Sequence, residues 1–336
     1  MEKLNFGCGT RYAPGWTNID FHGDGNHVRR VNLLAGFPFP DNSFDVVYSS
    51  HVLEHFTPEQ GAFLIGESCR VLKVGGILRT VVPDLEGSCT EYLRILAMDD
   101  TDASKRKLYS WIKIELLDQL VRTSSGGDMG PLMRYVATSP DRAMLEYVQG
   151  RIESHLEPAS LPANGMSRLA RITPGKVMTK LTYLYLGLIK RLVPKNLRPM
   201  VWSGTSIGEK HRWMYDRYGL TLLMKESGFG DVKFPPFNES VIPGFAQDGL
   251  DSNPDGTSYK NGSIYCEATK LSAADRVSPY SDYFKKTRRM MRTAPAGAGL
   301  AHTYFILSSV SNSLRASQEL TVLVAVFLPS FSAQRS

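Results

Sequence analysis

Cysteine is scarce in this 336-residue chain: Cys8, Cys69, Cys89 and Cys266 are widely spaced, with no Cys-x-x-Cys pair. That spacing excludes a disulfide framework and a zinc-ribbon pattern, and leaves reduced thiols that are mostly buried. Long apolar runs are also missing. Residues 320–328 form a nine-residue, largely apolar run, and the apolar stretch within 175–193 stops at Lys190. Both fall short of the ~20 residues that span a bilayer. The chain has no internal repeat. It also lacks a basic stripe interleaved with stacking aromatics, so no nucleic-acid partner is expected. The opening Met-Glu-Lys-Leu-Asn enters a strand without a charged-then-apolar leader, and a cytoplasmic location is the expectation.

The glycine pattern is incomplete in an informative way. Leu4-Asn5-Phe6-Gly7-Cys8-Gly9 reads as a buried strand and a tight turn, and Thr17-Asn18-Ile19-Asp20 as a second strand ending on an acid. Glycines in such a turn let backbone N–H groups approach a ligand that a Cβ would block. A carboxylate at the neighbouring strand end accepts from ribose hydroxyls. Tyr12 stands where a third glycine would complete Gly-x-Gly-x-x-Gly, and no Lys-Ser/Thr follows. A pyrophosphate cradle is therefore absent. An adenosine without a pyrophosphate suits the turn better than NAD or ATP, and S-adenosylmethionine is such a ligand.

Strand and helix signals then alternate. Phe44 to Tyr48 reads as a buried parallel strand, followed by Ser49-Ser50-His51-Val52-Leu53-Glu54-His55 at its carboxyl end. Ligands of open α/β sheets sit there, so Ser50, His51, Glu54 and His55 fall where chemistry would occur. Residues 58–72 read as a helix with Thr57 as N-cap and Pro58 in the first turn, closed by Lys73-Val74-Gly75-Gly76. Strands are expected near 3–7, 16–20, 28–33, 44–48, 77–82, 231–235 and 263–269. Such alternation predicts an α/β, doubly wound, mostly parallel seven-stranded sheet with the last strand antiparallel.

On these motifs the chain resembles the class I S-adenosylmethionine-dependent methyltransferases, type 11-like, and most of all the small bacterial group with LN-x-GCG and P-G-W-x-N-x-D openings. The matching stretches are 4–20, 37–55, 67–84, 211–229 and 250–270, just over a quarter of the chain. The resemblance implies a Rossmann-like methyltransferase sheet with bound S-adenosyl-L-methionine. It implies cofactor contacts from Phe6, Gly7, Cys8, Gly9, Asp20, Phe21, Asn32, Leu33, Ser49 and Ser50. Ten residues separate Gly9 from Asp20, so the first helix is reduced to a turn, as in that group. Asn32 stands where an Asp often precedes the adenine-contacting residue. The group's apparent place in surface-polysaccharide pathways suggests O-methylation of a sugar, or of a glycan- or lipid-linked acceptor. A silent methyltransferase-like scaffold is the alternative function, and an NAD-dependent oxidoreductase is disfavoured by the incomplete glycine motif.

The domain reading follows: 1–84 and 211–270 form the cofactor-binding domain, 85–210 a helical insertion that sets substrate choice, and 271–336 a basic, poorly ordered tail. Net charge is +6, of which the tail holds eight Lys/Arg against three Asp/Glu. Residues 158–208 hold eight Lys/Arg and no acid. Residues 109–122 and 141–153 read as helices, the first offering Trp111, Ile112, Leu116, Leu120 and Val121 to one face. The segment 175–193 is either a lid helix or a basic amphipathic surface, giving peripheral contact at the inner membrane face.

Candidate bases are His51, His55 and His211, since imidazole titrates near neutrality. His51 and His55 lie four apart and would share a helical face, with Glu54 one residue off it. The resemblance favours His55, with His51, as catalytic or substrate-orienting. Otherwise one caps the strand end and the other packs under the cofactor. With no further ligand cluster in the sequence, no metal is expected. The 211–216 segment either lines the acceptor pocket or packs at a helix entry, with Asp216 as cap. Asp84 either contacts substrate or caps a helix, and Arg79 is either solvated or paired.

Overall fold

The computed structural model describes residues 1–23, 25–152, 185, 187–189, 191–194 and 208–275. All lie in one compact unit, Met1–Arg292; the second, Thr293–Ser336, falls outside the described residues, as does nearly all of the expected basic segment 158–208. No helix among the described residues is long and apolar enough to cross a membrane.

Seven strands form one sheet: β1 (Lys3–Phe6), β2 (Thr17–Asp20), β3 (Arg29–Arg30), β4 (Phe44–Ser50), β5 (Leu72–Pro83), β6 (Phe229–Lys233) and β7 (Ser263–Lys270). Their spatial order is β3-β2-β1-β4-β5-β7-β6. Neighbours pair in parallel from β3 to β5, whereas β7 runs antiparallel to both β5 and β6. This is the doubly wound, mostly parallel seven-stranded sheet with an antiparallel last strand that the sequence predicts. Four strands depart from expectation by two residues or more, β4 by running on to Ser50. β3 covers two residues because Asn32 leaves the ladder to cap a 3-10 turn, Leu33–Ala35. β5 begins at Leu72, directly after the helix, so Lys73–Gly76 belongs to a strand with Gly75 at φ +79°. β6 starts and ends early, before Pro235 and Pro236, which have no N–H to donate to a ladder.

Local signals explain the helices. α1 (Pro58–Val71) opens with a full capping box: the Thr57 hydroxyl accepts from Gln60 N, and the Gln60 side chain accepts from Thr57 N. Its face of Phe63, Leu64 and Ile65 joins Leu4, Phe6, Val47 and Leu78 in the main core. Asp84 caps α2 (Leu85–Leu96) by accepting from Gly87 N at 2.9 Å, which settles its role as a cap. α3 (Lys105–Val121), α4 (Met129–Thr138) and α5 (Arg142–Gln149) follow, the last capped by Asp141. Trp111, Val136, Met144 and Val148 give this helical insertion a small core of its own. Ile112 is buried as expected, but Val121 lies exposed; Asp118 and Arg122, a buried ion pair, take that side of α3 instead. Asp216 caps α6 (Arg217–Glu226) and α7 (Phe245–Asp248) is one turn. Cys8, Cys69 and Cys266 are buried and Cys89 exposed, and none of the four is in a disulfide.

On the other sheet face, Arg79 of β5 is fully buried rather than solvated. Its Nε donates to Asp251 Oδ2 at 2.7 Å and its Nη1 to Glu267 Oε1 at 2.8 Å. The guanidinium also donates to the Glu239 and Phe237 carbonyls and lies over the Phe245 and Tyr265 rings. Removing one member of such a set strands buried charge, so Arg79→Met should lower stability by about 3–5 kcal/mol, read as a drop in urea midpoint.

The turn after β1 makes a second, graded prediction. Gly7 and Gly9 have φ of +65° and +52°, a region that a Cβ disfavours by about 1–2 kcal/mol. At Gly7 an added Cβ would also lie 2.4 Å from Val52 Cγ2, whereas at Gly9 it meets nothing within 4 Å. Gly7→Ala should therefore cost clearly more than Gly9→Ala in urea unfolding; equal costs would contradict the close β1–Val52 packing.

Candidate active site

The carboxyl ends of β1, β2 and β4 bring the expected cofactor residues together. Gly7 N donates to Ile19 O at 2.8 Å, which draws the turn against β2. Asp20 then has a fixed carboxylate: Gly9 N donates to Oδ2 at 3.0 Å and His22 N to Oδ1 at 2.7 Å. Each oxygen keeps a lone pair for a further donor. The space where a Gly9 side chain would stand is empty. No helix separates Gly9 from Asp20; the connection is turns, as expected.

The other expected contacts differ in what they can offer. Phe21 is exposed beside Asp20, with Arg30 over its ring. Asn32 uses its side-chain oxygen to accept from Leu34 N, so it shapes the turn carrying Leu33. Phe6 and Ser49 turn their side chains inward: Phe6 packs on Phe37, and the Ser49 hydroxyl pairs with Thr80 at 2.9 Å. Both can present only backbone to a ligand. Cys8 is buried, and Ser50 closes β4 half-buried.

A second group lies just beyond β4. His51 adopts φ +52°, a left-handed conformation rare for a residue with a Cβ, and a 3-10 turn spans Leu53–His55. The expected helical face shared by His51 and His55 is thus replaced. The kink places Glu54 between them: His51 Nδ1 stands 3.3 Å and His55 Nε2 4.0 Å from Glu54 Oε1. Glu54 is fully buried, and burial pushes its carboxyl up to about 8. Burial lowers all three neighbouring imidazoles, His51 and His55 helped by the charge of Lys260, and His211 pushed down to about 3. Burial thus favours the uncharged form of each of the four side chains.

His211 arrives from the far side of the insertion. Its N–H donates to Gln119 O of α3, and the next residue, Arg212, donates to Glu54 O at 2.6 Å. The His211 and His55 rings stand 5.0 Å apart, edge to face. Tyr215 follows, buried, its hydroxyl raised above the usual phenol range by burial and by Glu54. Sequence reasoning put Glu54 with Ser50, His51 and His55 at the strand end, but one residue off the His51–His55 face and with no role of its own. Among the described residues, Glu54, His55 and His211 form a set whose ligand atoms all lie within 4.8 Å of one another. That is a ligand cluster the sequence did not lead us to expect.

Comparison with known proteins bears on this region. Residues 17–80 match a family model described as "Methyltransferase domain". A curated relative, "Probable methyltransferase ltbC" of Aspergillus luteorubrus, is 44% identical over 50 residues, 15% of this chain. The match spans 18% of that relative's length. Among solved structures, a SAM-dependent methyltransferase of Thermotoga maritima is 12% identical over 80% of this chain and 82% of that one, at TM-score 0.31. One of Methanosarcina mazei is 13% identical over 81% and 93%, at TM-score 0.32. The methyltransferase-domain match thus runs from β2 into β5, the strands whose carboxyl ends carry Asp20, Ser50 and the His51–His55 turn.

Proposed function

We propose that the protein transfers a methyl group from S-adenosyl-L-methionine to an oxygen acceptor. The observation that carries this reading is the Asp20 carboxylate, held by two backbone N–H groups beside the left-handed Gly7–Gly9 turn. A carboxylate so fixed, with a lone pair left on each oxygen and open space at Gly9, suits a ribose diol. The methyltransferase-domain match at 17–80 supports the same ligand. When bound, the cofactor supplies an electrophilic methyl on a sulfonium.

The chain's own part is alignment and proton handling. Gly7, Cys8 and Gly9 offer backbone, Asp20 fixes the ribose end, and Leu33 with its Asn32-capped turn borders the base. Holding donor and acceptor in line supplies most of the rate gain. His51 and His55 stand at the β4 end as the residues that orient the acceptor and take its proton, a contribution of roughly 10²–10⁴-fold. Support for a sugar, or for a glycan- or lipid-linked acceptor, comes from the bacterial group that the motifs resemble. Residues 85–210 are proposed to choose that acceptor, with peripheral membrane contact through 158–208.

Calorimetric titration tests the reading. The folded wild type should bind S-adenosylmethionine and S-adenosylhomocysteine. Asp20→Ala, with unchanged circular dichroism, should lose hydrogen bonds to a charged group, about 1.5–3 kcal/mol, or roughly 10- to 150-fold in Kd. No binding by the folded wild type would overturn the function, and equal binding by the variant would overturn the site.

A further inference from the structure

The group beyond β4 holds more lone pairs than donors. Glu54 is fully buried, and neither carboxylate oxygen accepts a hydrogen bond from a described residue. A bare carboxylate in a dry interior is strongly unfavourable, so a proton or a cation must stand beside it. His55 narrows the choice. Its Nδ1 lies 3.2 Å from the Lys210 carbonyl, which can only accept, so Nδ1 carries the ring proton. Nε2 is then a bare lone pair, and it is this atom that lies 4.0 Å from Glu54 Oε1. A ring N–H anchored on a backbone carbonyl, with the opposite nitrogen facing a carboxylate, is the usual arrangement of a metal-binding histidine. His211, buried and edge-on to His55, completes the set.

We propose that Glu54, His55 and His211 bind one divalent first-row transition cation, with Zn²⁺ as the reference case. The donor set argues for this class: two imidazole nitrogens and one carboxylate suit such ions, whereas Mg²⁺ and Ca²⁺ prefer all-oxygen shells. The spacing also fits. Ligand atoms about 2.0–2.2 Å from a tetrahedral ion lie roughly 3.3 Å apart, so atoms now within 4.8 Å close by about an ångström or more on binding. His51 Nδ1, 3.3 Å from Glu54 Oε1, stands next to the set. Three protein ligands leave an open position, and an ion there would lower the pKa of a bound hydroxyl. That last role rests on the methyltransferase reading; with the ion bound, His55 is a ligand and the acceptor's proton falls to His51 alone, and the site itself needs neither role.

The test uses the full chain, stripped with EDTA, desalted, and titrated separately with Zn²⁺, Co²⁺, Mn²⁺ and Mg²⁺. Bound metal after desalting should reach one equivalent of Zn²⁺ per chain, with a Tm rise of about 5 °C or more, and Mg²⁺ should do neither. Co²⁺ should give visible bands of a four- or five-coordinate site. Glu54→Gln and His211→Asn should each abolish the retained equivalent and the Tm rise. Glu54→Gln also separates the rival occupant: if a proton alone satisfies the carboxyl, Gln replaces it without loss and no metal is retained by either protein. Less than a tenth of an equivalent on folded wild type, or equal retention by wild type and both variants, would overturn the site. Should a variant fail to fold, the wild-type stoichiometry and the Co²⁺ spectrum decide alone. None of these readouts requires S-adenosylmethionine, so the two proposals fail separately.

Discussion

A single guanidinium ties the two ends of this fold together. Arg79 sits in the interior strand β5 with no exposed surface, and its partners Asp251 and Glu267 come from much later in the chain. A cation in that position is tolerable only while both carboxylates surround it. Tyr48 of β4 donates to Asp251 at 2.5 Å, and Val241 N and the Ser240 hydroxyl donate to Glu267. The segment from Phe237 to Asp251 is thereby pinned across the sheet, and Trp16, Ile242, Phe245 and Leu250 close a second core beneath it. β4 pairs with β5 as far as Ser50, and the His51 kink begins directly after it. The antiparallel β7 also delivers Ser263, whose hydroxyl lies 2.8 Å from His51 Nε2.

Two neighbourhoods of different character then share the carboxyl edge. Around Asp20 the chain offers backbone donors, a left-handed glycine turn and empty space. Around Glu54 it offers burial and neutral nitrogen. Val52 links them, since it packs onto Gly7 and stands two residues from Glu54. A ligand in the first neighbourhood and a cation or proton in the second would therefore act on adjoining stretches of one short segment.

Local chemistry made much of this legible in the sequence. Thr57-Pro58 with Gln60, Asp141, Asp216 and the Asp84 that ends a strand each announce a helix start, because an N-cap depends on neighbouring backbone alone. The parallel strands were visible as short apolar runs, and Asp20 stood out because Gly-x-Gly precedes it. What stayed hidden depends on contacts between distant residues. Nothing local marks Glu54 as buried, since it lies outside the His51–His55 face until a left-handed φ at His51 turns it inward. His211 joins the group only through bonds to Gln119 and Glu54. Arg79 reads as either solvated or paired, and only the folded chain supplies its partners, Asp251 and Glu267. The helix α4 and the early start of β5 carried no distinctive residue pattern.

Asp20 and the Gly7–Gly9 turn are proposed to hold an adenosine. The most direct measurement is a crystal structure of the protein grown with S-adenosylhomocysteine. The account predicts electron density beside Gly9, with both ribose hydroxyls within hydrogen-bond distance of the Asp20 carboxylate. Density for the ligand elsewhere, with Asp20 still bonded only to Gly9 and His22, would contradict it.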